Sequence, residues 1–150
     1  IGVPKNLFPY ITQTASGIRK ELTVNGNDYN TPDGSCMRDY VHVVDLAKAH
    51  VAALRLLEKK NNKIDVFNIG TGKGNSVLEC ITQFEEINNI KVPYKIGPRR
   101  AGDVEQIWAD VSKANKVLNW KTNYTLKDAL QHAWKWQQQI NNIATDADEI

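Results

Sequence analysis

Two clusters of arginine and aspartate in loop-like sequence are the first places where chemistry could occur: Arg38-Asp39, and Arg99-Arg100 shortly before Asp103. A guanidinium binds phosphate through a planar fork of N–H donors, so two arginines from different loops can grip a diphosphate. A neighbouring carboxylate accepts hydrogen bonds from a vicinal diol such as a ribose. Asn6, at the mouth of a helix-like stretch, adds a side-chain amide and backbone N–H groups where an anion is favoured. Loop Arg–Asp neighbours are also common as surface ion pairs worth little. Spacing alone therefore leaves both roles open.

Gly70-Thr71-Gly72, after an apolar run and before a helix signal, invites a dinucleotide-binding assignment. That fingerprint needs a third glycine three residues after the second, where helix and strand pack closely. The position is Asn75. It also needs an acidic residue about 20 positions on, for the ribose hydroxyls, and the neighbourhood of Val92 has none. A strand-to-helix turn closed by a Ser76–Glu79 capping box explains the same residues without a cofactor. His42, His50 and His132 show no ligand spacing with one another or with the cysteines, so no metal site is expected. Cys36 and Cys80 have no base beside them in sequence and read as ordinary free thiols. Trp134 and Trp136 on one helix, and Trp108 and Trp120 flanking another, are expected to pack.

The elements that must position these residues alternate in type. Leu7, Tyr10, Ile11 and Thr14-Ala15 recur at helical spacing, with Pro9 in the first turn and Gly17 as a stop. A short strand over Leu22 to Val24 leads into the loop Gly26 to Gly34, crowded with Asn, Asp, Pro and Gly. Asp39 to Val43 is β-rich, and Asp45 sits where an N-cap would stand ahead of a helix over 46–60. Residues 65–69 read as a short buried strand, and Ser76 opens a helix to about Asn88. A strand over Val92 to Ile96 follows, then a helix capped by Asp110 or Ser112 and ending near Leu118. Thr125-Leu126-Lys127-Asp128 resembles a second capping box, opening a helix with Leu126, Ala129, Leu130, Ala133, Trp134 and Ile140 along one side. The mixture is α/β, with more helix than strand.

The chain has 150 residues, enough for one domain with a core and too few for two ordinary ones. Nineteen basic and 17 acidic residues leave a net charge of +2, which argues against a nucleic-acid or anionic-membrane surface. No apolar run approaches membrane-spanning length and no signal-peptide pattern opens the sequence. The two cysteines fit a reducing, cytoplasmic setting. The first residue is Ile1, which with the motifs missing below leads to the expectation of a piece of a larger protein.

Several runs resemble the UDP-glucose 4-epimerases, within the extended short-chain dehydrogenases. They are Asn6-Leu7-Phe8-Pro9-Tyr10-Ile11, the loop Gly26 to Gly34, and Arg38-Asp39-Tyr40-Val41-His42 through Asp45-Leu46-Ala47. Asn68-Ile69-Gly70-Thr71-Gly72, Pro98-Arg99-Arg100-Ala101-Gly102-Asp103, Trp108-Ala109-Asp110 and Ser112-Lys113-Ala114 continue the match in order, from about residue 3 to residue 138. The resemblance implies a Rossmann domain holding NAD and a smaller carboxyl-terminal domain holding the UDP-sugar. This chain corresponds to the second, with the NAD-binding Rossmann domain absent. Residues 1–140 are then the substrate-binding part and 141–150 a disordered tail.

By position, the resemblance makes Asn6 and the backbone around Leu7 diphosphate and uridine contacts, and Thr23 and Asn25 residues lining the uracil. Asn25 departs from the family's frequent aromatic at that place. Arg38 and Arg100 correspond to the diphosphate clamp and Asp103 to the ribose partner. Ile107 stands where the family has a sugar-pocket residue, tyrosine in some members. An isoleucine is shorter and implies room for N-acetylated UDP-hexosamines beside UDP-glucose and UDP-galactose.

In the family, NAD takes a hydride from C4 of the hexose while a tyrosine removes the hydroxyl proton, and the 4-keto sugar turns to receive the hydride on its other face. That scheme needs a firm nucleotide tether. The family's catalytic Tyr-x-x-x-Lys is missing: the residues four after Tyr10, Tyr29, Tyr40, Tyr94 and Tyr124 are Thr14, Asp33, Val44, Pro98 and Asp128. Neither a catalytic residue nor a cofactor contact is therefore assigned, and the chain alone is expected to be inactive. The competing readings are a non-catalytic nucleotide-sugar-binding or assembly module, and a related nucleotide-sugar dehydratase or decarboxylase. The resemblance also implies that helix 46–60 and strand 65–69 normally pack on the missing Rossmann domain. Left bare, such a surface leads to homo-oligomers.

Overall fold

The computed structural model describes residues 5–59 and 64–148. Helix α1, Leu7–Ala15, begins after Asn6 and turns Ile11 fully inward. It ends at Gly17, whose φ of 80° is cheap for glycine alone. Strand β1, Leu22–Asn25, pairs in parallel with β4, Tyr94–Gly97, in the register Leu22↔Tyr94 to Asn25↔Gly97. Side chains alternate along a strand, so Leu22 and Val24 go into the core while Thr23 and Asn25 share the open face.

Between these strands lie β2, Met37–Arg38, helix α2, Val43–Lys59, β3, Asn75–Ser76, and helix α3, Val77–Asn88. Helices α4, Ser112–Leu118, and α5, Leu126–Asp148, complete the order. Strands β2 and β3 form a separate antiparallel pair, Arg38 opposite Asn75. The main core joins Ile11, Leu22, Val24, Cys80, Ile81, Phe84, Val92 and Leu130, with Trp134 edge-on to Phe84 at 5.8 Å. Truncating a ring such as Phe84 to alanine costs about 3–5 kcal/mol. A second cluster packs Ala49 of α2 against Ala114, Leu118 and Trp120.

Both capping boxes form. Ser76 Oγ accepts from Glu79 N–H at 2.9 Å while Glu79 returns to Ser76 N–H, and Thr125 and Asp128 do the same for α5. Other expectations need correction. Residues 39–42 are not a strand, because Asp39 leaves the β2–β3 pair to bind the glycine turn. Asp45 lies inside the first turn of α2 rather than at its cap. Its carboxylate instead accepts from the N–H groups of Asn123 and Tyr124, both at 2.9 Å, and so ties the first turn of α2 to the segment that leads into α5.

Residues 65–69 form no strand either: they have no neighbouring strand to pair with among the described residues, and Val66 is 72% exposed. The cap of α4 is Val111, with Asp110 Oδ1 accepting from Ser112 N–H at 3.0 Å. Trp120 is buried with its Nε1–H on Asp45 O, but Trp108 and Trp136 are exposed. Helix α5 itself runs to Asp148. Gln137 Nε2–H donates to Asn141 Oδ1 across one helical turn there. Lys60 and residues 149–150 of those expectations lie outside the described residues.

Candidate functional site

Asn6 has extended backbone (φ −88°, ψ 157°) and its side chain makes no cap to α1, so the amide is left for other partners. It opens a cavity of about 690 Å³ that Leu7, Thr23, Asn25, Arg100 and Asp103 also line. Six of the eight sequence-derived site residues thus meet in one hollow. The helix entrance supplies Asn6 and Leu7, the open face of β1 supplies Thr23 and Asn25, and the loop after β4 supplies the rest.

That loop is shaped locally. Asp103 N–H donates to Arg100 O at 3.1 Å, a tight turn that holds both side chains on one side. The adjacent Arg99 turns the other way. Its Nε–H meets Asp28 Oδ1 at 2.8 Å and its guanidinium lies 4.2 Å from the Tyr29 ring centroid. Arg99 therefore fastens the Gly26–Gly34 loop, while Arg100 has no charged partner among the described residues. Gly26 is required at this junction: its φ is +83°, and a Cβ there would stand 2.7 Å from the Tyr29 ring and 3.0 Å from Arg99 Cγ.

Arg38 and Ile107 lie elsewhere. They line a second cavity of about 560 Å³ together with Asp39 and Trp108. Met37 N–H donates to Glu105 O at 2.9 Å and Ile107 N–H to Met37 O at 3.2 Å, so β2 and the 105–107 segment run together. This places Arg38 Nη2 3.4 Å from Asp103 Oδ1. The expected clamp is hence two arginines on two hollows, with Asp103 between them.

The glycine turn has a partner of its own. Asp39 Oδ1 accepts from Thr71 N–H at 2.8 Å and Thr71 Oγ–H at 2.6 Å, and Oδ2 from Gly72 N–H at 3.1 Å and Ala109 N–H at 3.2 Å. A Cβ on Gly70 would lie 2.3 Å from Asp39 Oδ2. The donors that would cradle a dinucleotide phosphate already hold a carboxylate, and the residues of this turn do not fit that cofactor. Asp33, in the loop before β2, is a second such anchor. Burial would raise its pKa, but hydrogen bonds from Ser76 and from Ser35 N–H and Oγ–H outweigh that and keep it below the usual carboxylate value.

His42 and His132, far apart in sequence, come together with Nε2 and Nδ1 3.0 Å apart. Val44 N–H donates to His42 Nδ1 at 3.0 Å, which makes Nε2 the protonated nitrogen of a neutral His42. Burial and the neighbouring His132 push the His42 pKa down. Among the described residues no cluster of His, Cys, Asp or Glu could hold a metal ion. Both cysteines are buried and free, and burial pushes the Cys80 thiol up to about 12. No described helix is long and apolar enough to cross a membrane.

The sequence reading did not name Tyr10, Arg19 and Cys36, which are among the other liners of the first cavity. Tyr10 follows Asn6 by four residues on the same helix face, a spacing that could have found it. Arg19 and Cys36 carry no such signal.

A family model described as GDP-mannose 4,6 dehydratase matches residues 2–133. The UDP-glucose 4-epimerase of Dictyostelium discoideum is 48% identical over 145 residues, 97% of this chain and 42% of that protein. A structure of the enzyme from Stenotrophomonas maltophila, with bound NAD and formylated UDP-arabinopyranose, superposes with a TM-score of 0.91 at 45% identity, over 95% of this chain and 42% of that one. The Bifidobacterium longum enzyme, in complex with NAD+ and UDP, gives a TM-score of 0.88 at 46% identity, over 94% of this chain and again 42% of the other. The chain thus spans well under half the length of these relatives. By its sequence and its fold, it belongs to the family of the GDP-mannose 4,6 dehydratase model, and within that family it is similar to the carboxyl-terminal portion of the UDP-glucose 4-epimerases.

Proposed function

We propose that this chain supplies the nucleotide clamp of an NAD-dependent UDP-glucose 4-epimerase, a cytoplasmic isomerase of galactose metabolism that interconverts UDP-glucose and UDP-galactose. The observation that carries the reading is the single cavity bringing Asn6, Thr23, Asn25, Arg100 and Asp103 together from three separate segments. Asn6 and Arg100 hold the diphosphate from one side. Arg38 reaches it from the adjoining hollow past Asp103, whose carboxylate then accepts from the ribose hydroxyls. Thr23 and Asn25 line the base and Ile107 faces the sugar.

Such a clamp fixes the nucleotide and leaves the hexose free to turn, a positioning contribution to the rate. NAD, when bound to the complete enzyme, supplies the hydride exchange. The apolar outer side of α2 is the natural seat for the domain that holds it.

Three measurements test this. UDP binding by calorimetry is expected to weaken about tenfold or more in Arg100→Ala, as loss of a charged hydrogen bond requires. Unchanged titrations would remove the clamp. The chain alone is expected to leave UDP-galactose unconverted in a coupled assay, whereas the complete gene product converts it. A second variant, Ile107→Tyr, is expected to lose N-acetylated UDP-sugars selectively, and equal treatment of both sugar classes by both proteins would contradict the roomier pocket.

A further inference from the structure

Arg19 is held in an unusual way for a residue in an open turn. Its N–H donates to Gln13 O at 3.1 Å, its Nε–H donates to Gln13 Oε1 at 2.7 Å, and its Cζ stands 4.0 Å from the centroid of the Tyr10 ring. Two side-chain contacts to α1, at Gln13 and Tyr10, hold the guanidinium, and the backbone bond to Gln13 ties down the residue that carries it. One face is covered by Tyr10 and the Nη hydrogens have no partner among the described residues. Both Tyr10 and Arg19 line the cavity that also holds Thr23, Asn25 and Arg100.

A planar cation with one face backed by a ring and unclaimed donors at its edge suits a flat, carbonyl-bearing partner. Guanidinium groups stack on such rings and donate to their oxygens. Arg19 lies just before β1, the strand that presents Thr23 and Asn25, and Asn25 has no ring to offer a base. The phosphate end of the cavity has its own cation in Arg100.

We infer that Arg19, backed by Tyr10, is the stacking and hydrogen-bonding platform for the pyrimidine base of the nucleotide. This deepens the UDP reading above and rests on it. Its consequence is a division of labour: Arg19 contributes to the base and Arg100 to the phosphates, so their losses separate by ligand.

The experiment compares UDP with inorganic pyrophosphate by calorimetry, using the complete gene product and its Arg19→Ala, Arg19→Lys and Arg100→Ala variants. Both Arg19 variants are expected to raise the Kd for UDP about tenfold and to leave pyrophosphate unchanged. Lysine keeps the charge but not the plane, and it retains the comparison should Arg19→Ala lose its cooperative melt. Equal weakening of UDP and pyrophosphate, or full rescue by lysine, would overturn the base contact in favour of a simple charge effect. Loss of both ligands in Arg100→Ala with no change in either Arg19 variant would overturn this inference and leave the UDP reading standing. No binding of UDP by the unaltered protein would overturn both.

Discussion

Arg38 Nη2 stands 3.4 Å from Asp103 Oδ1, joining residues 65 positions apart in the chain. Arg38 also donates from Nη1 to Met37 O at 2.8 Å, so its guanidinium is aimed before any ligand arrives. The side chains keep 29% and 25% of their surface exposed, and an ion pair so open to water contributes about 1 kcal/mol at most. A double-mutant cycle of Arg38→Ala and Asp103→Ala in urea denaturation is expected to give a coupling of that size or less. The same variants are expected to weaken UDP about tenfold each. A large stability coupling with unchanged UDP affinity would mark the pair as structural.

Asp39 is expected to matter for folding instead. Its carboxylate accepts four hydrogen bonds that tie together the glycine turn and Ala109. Asp39→Ala leaves those amide donors without a partner, and about 2–4 kcal/mol of stability is expected to go with them. Denaturant midpoints measure this directly. A midpoint equal to that of the unaltered chain would contradict the anchoring role.

The His42–His132 pair sets a pH dependence whose sign follows from geometry. Desolvation and His132 push the His42 pKa below its ordinary 6.5, with Lys48 adding to that and Asp45 and Asp128 opposing it. Well above pH 6.5 His42 is neutral both folded and unfolded and has no effect on stability. As the pH falls below that value the unfolded chain takes up the proton first, so the folded state loses stability until the folded pKa is passed. The Asp128 pKa is lowered below 3.8, chiefly by hydrogen bonds from Thr125, so its own loss of stability falls at lower pH, outside this window. Melting temperature is therefore expected to drop between pH 6.5 and 5 in the unaltered chain and to drop less in His42→Phe, which keeps a ring against Tyr124. Parallel pH profiles would contradict the assignment.

One side of α2 packs Ala49 on α4, while Val51, Leu54 and Leu57 on its other side are 47%, 61% and 57% exposed. Water contact at these positions is unfavourable, and the isolated chain is expected to self-associate through them. Leu54→Glu with Leu57→Glu is expected to shift light scattering toward the monomer. A compact monomer in the unaltered chain would contradict it.

What could be read in the sequence divides along the range of the interactions. Ser76–Glu79 and Thr125–Asp128 act within one turn, so their capping boxes were visible as short patterns. The short strand read over Leu22 to Val24 is β1, but its open face of Thr23 and Asn25 emerged only from the fold. Residues 65–69 have strand composition but no partner, and pairing is decided by the neighbour rather than by propensity. Asp45 has the look of an N-cap, yet its carboxylate is taken by amides of Asn123 and Tyr124. The resemblance named the candidate site residues. That Arg38 and Arg100 face separate hollows bridged by Asp103, and that the Arg19 guanidinium lies over the Tyr10 ring, depended on contacts that no spacing encodes.

In the proposed clamp the nucleotide is held in the hollow of Asn6 and Arg100, with Arg38 reaching it past Asp103, and a crystal structure of the complete gene product with UDP is the sharpest check. The diphosphate is expected between Asn6, Arg38 and Arg100, the ribose hydroxyls on the Asp103 carboxylate, and the base beside Thr23 and Asn25. Density for UDP anywhere else, or a diphosphate that touches neither arginine, would contradict it.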